Sequence, residues 1–324
     1  MKNFTRRRFL KNGATFLSAM SIVPLRHGLC KAIFSSDAIY RFSVGKARCS
    51  ILKDFVHAYQ TEEFFSEASS EVETLFDAHQ NIQDGKVHSP YDAMLIRMNG
   101  QNILIDTGIG FYKNPVTLGD HEVKIEGQLQ TLLKEENLTP ADVDLVIISH
   151  FHPDHIGGIY SEEGMLNFTN AQFVVGKKEW DFWHSSKAES LPPLFNDFIK
   201  TNITPLKDSD VKFLEEDHVS IVPGLSAIHA EGHTPGHLVF MLESEGEKLL
   251  YAADTFLHPI HIEHLEVQTV YDFDHDLARK SREKVLKLAL ENEALVHAFH
   301  FEFPGLGHVT QKGSDWQWEY IKNL

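Results

Sequence analysis

The chain has 324 residues and 42% apolar content, enough for one large core or two close-packed halves. It carries 46 acidic residues against 30 Lys and Arg, a formal charge of −16. Such acidity repels polyanions, so DNA and RNA are disfavoured as substrates or partners. Only two cysteines are present, Cys30 and Cys49, which excludes a disulfide-stapled architecture.

The first thirty-odd residues differ from the rest. Thr5-Arg6-Arg7-Arg8-Phe9-Leu10-Lys11 precedes an apolar stretch from Ala14 to Leu25, with no acid before Asp37. This pattern predicts a twin-arginine signal over residues 1–32, and with it a periplasmic or secreted protein exported folded. The apolar stretch is shorter than the roughly 20 residues of a membrane span, so cleavage near Ala32 is expected and a stable membrane anchor is not. Cleavage would remove seven Lys and Arg, moving the formal charge from −16 to −23, and would leave Cys49 alone. Residues 33–324 then form one domain.

Residues 33–85 are weakly patterned and hold an acidic run from Glu62 to Glu73, read as surface cover without chemistry. Two strands, Ala93–Met98 and Asn102–Ile105, flank the turn pair Asn99-Gly100 and lead into Asp106-Thr107-Gly108. Leu129 to Glu136 has helical spacing and stops before Thr139-Pro140. Leu145-Val146-Ile147-Ile148 is wholly apolar, as a strand buried on both faces is. Further strand signals lie at 173–175, 220–222, 226–228, 238–241 and 249–251. Helical patterns cover 178–184 and, more clearly, Leu277–Leu290, whose apolar side includes Leu277, Val285, Leu286 and Leu288. Strands interrupted by helices and ending in loops rich in His and Asp predict an α/β fold of two packed sheets with helices outside.

The chemistry concentrates in Ser149-His150-Phe151-His152-Pro153-Asp154-His155. His150, His152, Asp154 and His155 offer N and O donors suited to zinc or a similar divalent ion. On a tight loop, His150 and His152 turn toward one ion, and Asp154 and His155 toward a second. The first ion needs another donor, and Gly232-His233-Thr234-Pro235-Gly236-His237 offers His233 in preference to His237, which is read as packing or as support for a ligand. Two cations close together call for an anion between them, and Asp254, just after the strand at 249–252, is the candidate bridge. The second ion is completed by His300, preferred over His297 because it lies at the rim of its strand. Asp154 and Asp254 are the candidate catalytic carboxylates, with two divalent ions as cofactor, Zn2+ first and Mn2+ or Fe2+ as alternatives.

These donors predict a hydrolase that uses a metal-bridging hydroxide. No Gly-x-Ser-x-Gly pattern suggests a protein nucleophile. Asp106 is expected to orient a ligand histidine. His258, His261 and His264 are read as rim or core residues, and His308 as a candidate substrate contact. Phe111, Trp180, Phe182, Trp183, Phe256 and Phe273 are candidates for an apolar substrate wall, with core packing as their ordinary role.

Taken together, Ser149 to His155, Gly232 to His237, Asp254 and His300-Phe301-Glu302-Phe303-Pro304-Gly305 resemble the metallo-β-lactamase-fold superfamily over about residues 90–310. That resemblance implies an αββα sandwich, two mixed sheets flanked by helices, with a dinuclear site at one edge. The tail from Asp254 through Tyr271-Asp272-Phe273-Asp274 is similar to the methyl parathion hydrolase and lactonase group, which implies small esters, lactones or phosphotriesters as substrates. Leu257 departs from the tyrosine expected of acyl-homoserine lactonases, and Glu302 from a small or apolar residue. A thioester hydrolase similar to glyoxalase II, a β-lactamase, a di-iron redox protein and a non-catalytic binding protein of the same fold are the alternatives. A homodimer is left open.

Overall fold

The computed structural model describes residues 35–65, 82–83, 85–118, 121–191 and 193–321. The expected export signal and most of the acidic run lie outside the described residues. Among the described residues, no helix is long and apolar enough to cross a membrane.

Among those residues, two mixed sheets form the body of the fold. The first is nine-stranded. Ile39–Val44, Ala47–Gln60, Lys86–Met98 and Gln101–Ile105 run antiparallel in turn, and Leu145–Ile147, Gln172–Gly176 and Val211–Leu214 then add in parallel. The second is seven-stranded, from Val219–Val222 to Asp315–Tyr320. Its one parallel step joins Glu247–Tyr251 to Leu295–His297. The hairpin at Asn99-Gly100 forms as expected, with both residues at positive φ and Met98 paired to Gln101.

Side-chain alternation explains how the layers stack. In Leu238–Ser244, Leu238, Phe240 and Leu242 enter the core shared with the first sheet, whereas Val239 and Met241 pack on the opposite face. That outer face is covered by the helix His275–Glu291 through Val285, Leu286 and Ala289. The helix begins at Asp274, whose Oδ1 accepts a 2.9 Å hydrogen bond from the Leu277 N–H. Leu129, Leu132 and Leu133 of Leu129–Glu135 join the core of the first sheet. The expected αββα sandwich is the observed architecture.

The described part of residues 33–85 is more than the surface cover expected of it. Two strands occupy 39–44 and 47–60, and Phe55 and Tyr59 wall the cavity described below. Lys53 and Asp54 interrupt the apolar alternation there, next to an irregularity between Lys53 and Phe55. Asp54 is wholly buried and is satisfied by the N–H groups of Ile109 and Leu129 at 2.9 and 2.7 Å.

Candidate metal centre

Every candidate donor follows the end of a strand. The parallel strands Gln101–Ile105 and Leu145–Ile147 pair Ile105 with Ile147, so Asp106 and the Ser149 loop emerge side by side. Asp106 adopts φ +59°, a region tolerated by Asp, and its Oδ1 accepts the Ser149 N–H at 2.8 Å. His152 then caps the short helix Pro153–Ile156, with Pro153 at its first position, where a missing N–H costs nothing. Gly157 closes this turn against the Ile109 carbonyl, where a Cβ would stand 2.0 Å from the oxygen.

In the second sheet, the parallel pairing of Tyr251 with His297 brings the chain three residues further on, at Asp254 and His300, to the same edge. Ala253 holds φ +42°, an uncommon conformation for alanine, immediately before Asp254. Leu225–His229 runs in the same direction as Glu247–Tyr251 and delivers the 232–237 loop there too. Gly232 adopts φ +127° and abuts the 275–291 helix so closely that a Cβ would lie 2.1 Å from the Ala278 nitrogen.

The seven donors are buried and converge as two groups: His150, His152, His233 and Asp254, and Asp154, His155, His300 and Asp254. In the first group, His233 Nε2 lies 2.9 Å from His152 Nδ1 and 3.3 Å from Asp254 Oδ2, which is 3.7 Å from His150 Nε2. In the second group, His155 Nε2 is 3.1 Å from Asp254 Oδ1 and 3.9 Å from Asp154 Oδ2. His300 Nε2 is 3.0 Å from Asp254 Oδ2 and 3.6 Å from Asp154 Oδ2. Donors about 2.0–2.2 Å from one tetrahedral ion stand about 3.3 Å apart, so both groups have the right size. His150 Nε2, His155 Nε2 and Asp254 Oδ1 are buried with no hydrogen-bond partner among the described residues. Such orphaned lone pairs are costly unless a cation takes them. The residues present therefore fit a dinuclear metal site.

Hydrogen bonds fix the rings in the matching tautomer. The Nδ1–H of His155 donates to Asp106 Oδ2 at 2.8 Å, that of His233 to Asp272 Oδ1 at 3.1 Å, that of His300 to Ser89 Oγ at 2.8 Å and that of His150 to Ser149 Oγ at 3.1 Å. Each bond leaves the Nε2 lone pair free to face the centre. Asp106 Oδ2 also accepts the hydroxyls of Ser149 and Tyr251, both at 2.8 Å. His237 is not in either group. Its Nδ1–H donates to the Ala230 carbonyl and its Nε2 accepts the Asp254 N–H at 3.1 Å. Burial, followed by the neighbouring His233, lowers this ring to about 3, so it stays neutral and able to accept. Burial would also depress His233, but Asp254 and Asp272 outweigh it and raise the metal-free ring to about 9. Metal binding there must displace a proton.

Four residues have supporting roles that the sequence reading did not assign. Ser89 and Asp272 hold ligand rings as described, and Arg282 holds Asp272 through a 2.7 Å contact to Oδ2. Glu179 is wholly buried and accepts the Phe151 and Gly236 N–H groups, the Trp183 Nε1–H and the Thr234 hydroxyl, all within 2.7–2.9 Å. It thereby locks the 150–155 loop to the 232–237 loop. Burial pushes its carboxyl up, and the four donors limit the rise.

The centre opens into a cavity of about 940 Å³, within the range typical of small-molecule sites. Its wall includes Phe55, Tyr59, Phe64, Tyr91, Phe195 and Tyr271. None of the six aromatics singled out from the sequence lines it. Phe273 and Trp183 instead pack beside His152, with ring centroids 6.2 and 6.1 Å away, and Phe256 is buried in the outer core. His258 and His261 are wholly buried outside both donor groups, and His264 is partly exposed beside Glu266 and does not line the cavity. His308 lies on Leu306–Lys312 opposite Glu319 and is not part of the cavity wall, contrary to its reading as a substrate contact.

Comparison with known proteins agrees with this arrangement. A family profile described as the metallo-beta-lactamase superfamily matches residues 89–300. An N-acyl homoserine lactonase from Bacillus sp is 26% identical over 211 residues, covering 61% of this chain and 76% of that protein. The structure of AidC, described as a dizinc quorum-quenching lactonase in complex with a product, aligns with TM-score 0.75 and 25% identity over 89% of this chain and 98% of that one. The hydrolase AbOPH aligns with TM-score 0.77 and 25% identity over 90% of this chain and all of that one. With the profile spanning well over half the sequence and metal-dependent hydrolases among the similar proteins, the chain belongs to the metallo-beta-lactamase superfamily and is a metallo-hydrolase.

Proposed function

We propose that this hydrolase is a dizinc enzyme that opens lactones and cleaves small esters bearing an apolar acyl or aryl group. The observation that carries the reading is the convergence of seven buried donors at the floor of a cavity walled by aromatic and aliphatic side chains. Zinc is favoured by the nitrogen and oxygen donor set and by the dizinc lactonase relative. The proposed ligands are His150, His152 and His233 at one position, Asp154, His155 and His300 at the other, and Asp254 between them.

When bound, two such ions supply an activated water at neutral pH and a Lewis acid for the carbonyl oxygen. Asp254, common to both donor groups, would neutralise charge between two bound ions. Burial alone would push its carboxyl up, but His300, His155 and His150 hold it well below the usual carboxylate range. Asp154 stands at the cavity floor, where its carboxylate takes the proton released by the attacking water and returns it to the leaving oxygen. The apolar wall holds the acyl or aryl group and excludes bulk water.

A zinc-reconstituted preparation assayed against lactones, aryl esters, phosphotriesters, a glutathione thioester and a β-lactam is expected to favour the first two. Chelator treatment should remove activity and added zinc should restore it. Preference for the thioester or the β-lactam, or full activity without metal, would overturn the reading.

Export of the folded chain by the twin-arginine route is part of the same proposal, supported by Arg6-Arg7-Arg8-Phe9-Leu10-Lys11. Cell fractionation is expected to place the processed chain in the periplasm or medium, and to retain it in the cytoplasm when Arg6 and Arg7 are both replaced by Lys. Export of that variant at the normal level would refute the assignment.

A further inference from the structure

Of the three tyrosines on the mostly apolar wall of the cavity, Tyr59 and Tyr91 pair their hydroxyls. Tyr91 lies on Lys86–Met98 and Tyr59 on the neighbouring Ala47–Gln60, and their oxygens are 2.5 Å apart. The Tyr91 ring meets His300 edge-on at 5.7 Å, next to the Ser89 that holds the same histidine. Tyr59 is wedged between Phe64 and Tyr271, with ring centroids 5.3 and 5.7 Å away. Leu257, on the same cavity wall, offers no polar atom.

A pair of hydroxyls has two protons, and one suffices for the bond between them. When Tyr59 donates to Tyr91, the Tyr91 O–H has no further partner among the described residues. A buried donor left over at the mouth of a candidate metal centre is either a cost or a tool. We propose that Tyr91, polarised by the Tyr59 hydroxyl, is a catalytic residue that donates a hydrogen bond to the leaving oxygen of the ester or lactone.

The inference rests on the hydrolase reading above. In the step concerned, water adds to the carbonyl carbon and the bond from that carbon to the leaving oxygen breaks. The proton lost by water passes through Asp154 to the leaving oxygen. Tyr91 carries no net proton; its O–H bond dipole lowers the charge that builds on the leaving oxygen before the proton arrives. Such help matters for a poor leaving group, such as the alkoxide of an alkyl lactone, and little for a nitrophenolate.

The test compares zinc-loaded wild type, Tyr91→Phe and Tyr59→Phe on an alkyl-ring lactone and on a 4-nitrophenyl ester of the same acyl chain. Tyr91→Phe is expected to lower kcat on the lactone about 10- to 100-fold, to leave the nitrophenyl ester within about threefold, and to retain the wild-type metal content. Tyr59→Phe should show the same selectivity at smaller size, and it stands as the decisive variant if Tyr91→Phe does not fold. Equal losses on both substrates, no loss on the lactone, or loss of metal would overturn the proposal and leave a packing role. A wild type inactive on both substrates would bring down the hydrolase reading, and this inference with it, whereas an active wild type with unselective variants removes the inference alone.

Discussion

Asp254→Asn is expected to reduce hydrolysis by on the order of 10³-fold, equivalent to about 4 kcal/mol of transition-state stabilisation, and to leave the protein unable to hold two metal ions per chain. The substitution keeps the shape of the side chain and removes its charge. Asp254 Oδ2 lies within 3.0–3.7 Å of ring nitrogens from His300, His233 and His150, and Oδ1 lies 3.1 Å from His155. It is the one residue common to both donor groups. Two divalent ions at the 3.5–4 Å spacing of two-metal sites repel by on the order of 20 kcal/mol even at an effective dielectric of 20, so the anion between them decides whether both stay. An asparagine also turns an NH2 group toward lone pairs that must face a cation. Metal content by elemental analysis, read beside kcat, checks both parts. A variant with two ions and a near-normal rate would show that the carboxylate is not shared.

The readable parts of this site are those the chain writes locally. His150 to His155 and Gly232 to His237 each contain their donors and the turn that aims them within a few residues. Asp254 and His300 were legible one step further, as donors just past short apolar strands, because a parallel pairing carries both strand ends to one edge. The supporting residues carry no such local mark. Ser89 reaches His300 across 211 positions and Glu179 reaches Thr234 across 55, so only the fold brings them together. The strand at 47–60 was hidden for a different reason: Asp54 is a buried acid in a strand interior, satisfied by N–H groups some 55 and 75 residues away, and it breaks the apolar alternation. With that strand hidden, Phe55, His57, Ala58, Tyr59 and Gln60 of the cavity wall were hidden too. A sequence lists aromatics, but whether Tyr59 or Trp180 faces the substrate depends on which strand edge and which loop close over the centre.

Arg282→Met is expected to cost about 3–5 kcal/mol of stability, a fall in Tm on the order of 10 °C, although the residue is not part of either donor group. Arg282 is only 2% exposed. Its guanidinium donates to the carbonyls of Val267 and Thr255 at 2.7 and 3.2 Å and to Asp272 Oδ2 at 2.7 Å. Asp272 Oδ1 in turn accepts the Nδ1–H of His233. Methionine fills the volume yet, in the metal-loaded chain where His233 is neutral, leaves a buried carboxylate facing no cationic side chain, and that uncompensated charge is the main source of the loss. With its anchor gone, Asp272 no longer fixes the His233 ring, and metal affinity should weaken about 10- to 100-fold. The double variant Asp272→Asn with Arg282→Met separates the two effects. Removing the stranded charge should restore part of the stability, while metal affinity stays low because His233 still lacks a charged acceptor. Stability losses that simply add in the double variant would mean that Arg282 and Asp272 act independently, and that the route from the helix at 275–291 to His233 does not exist.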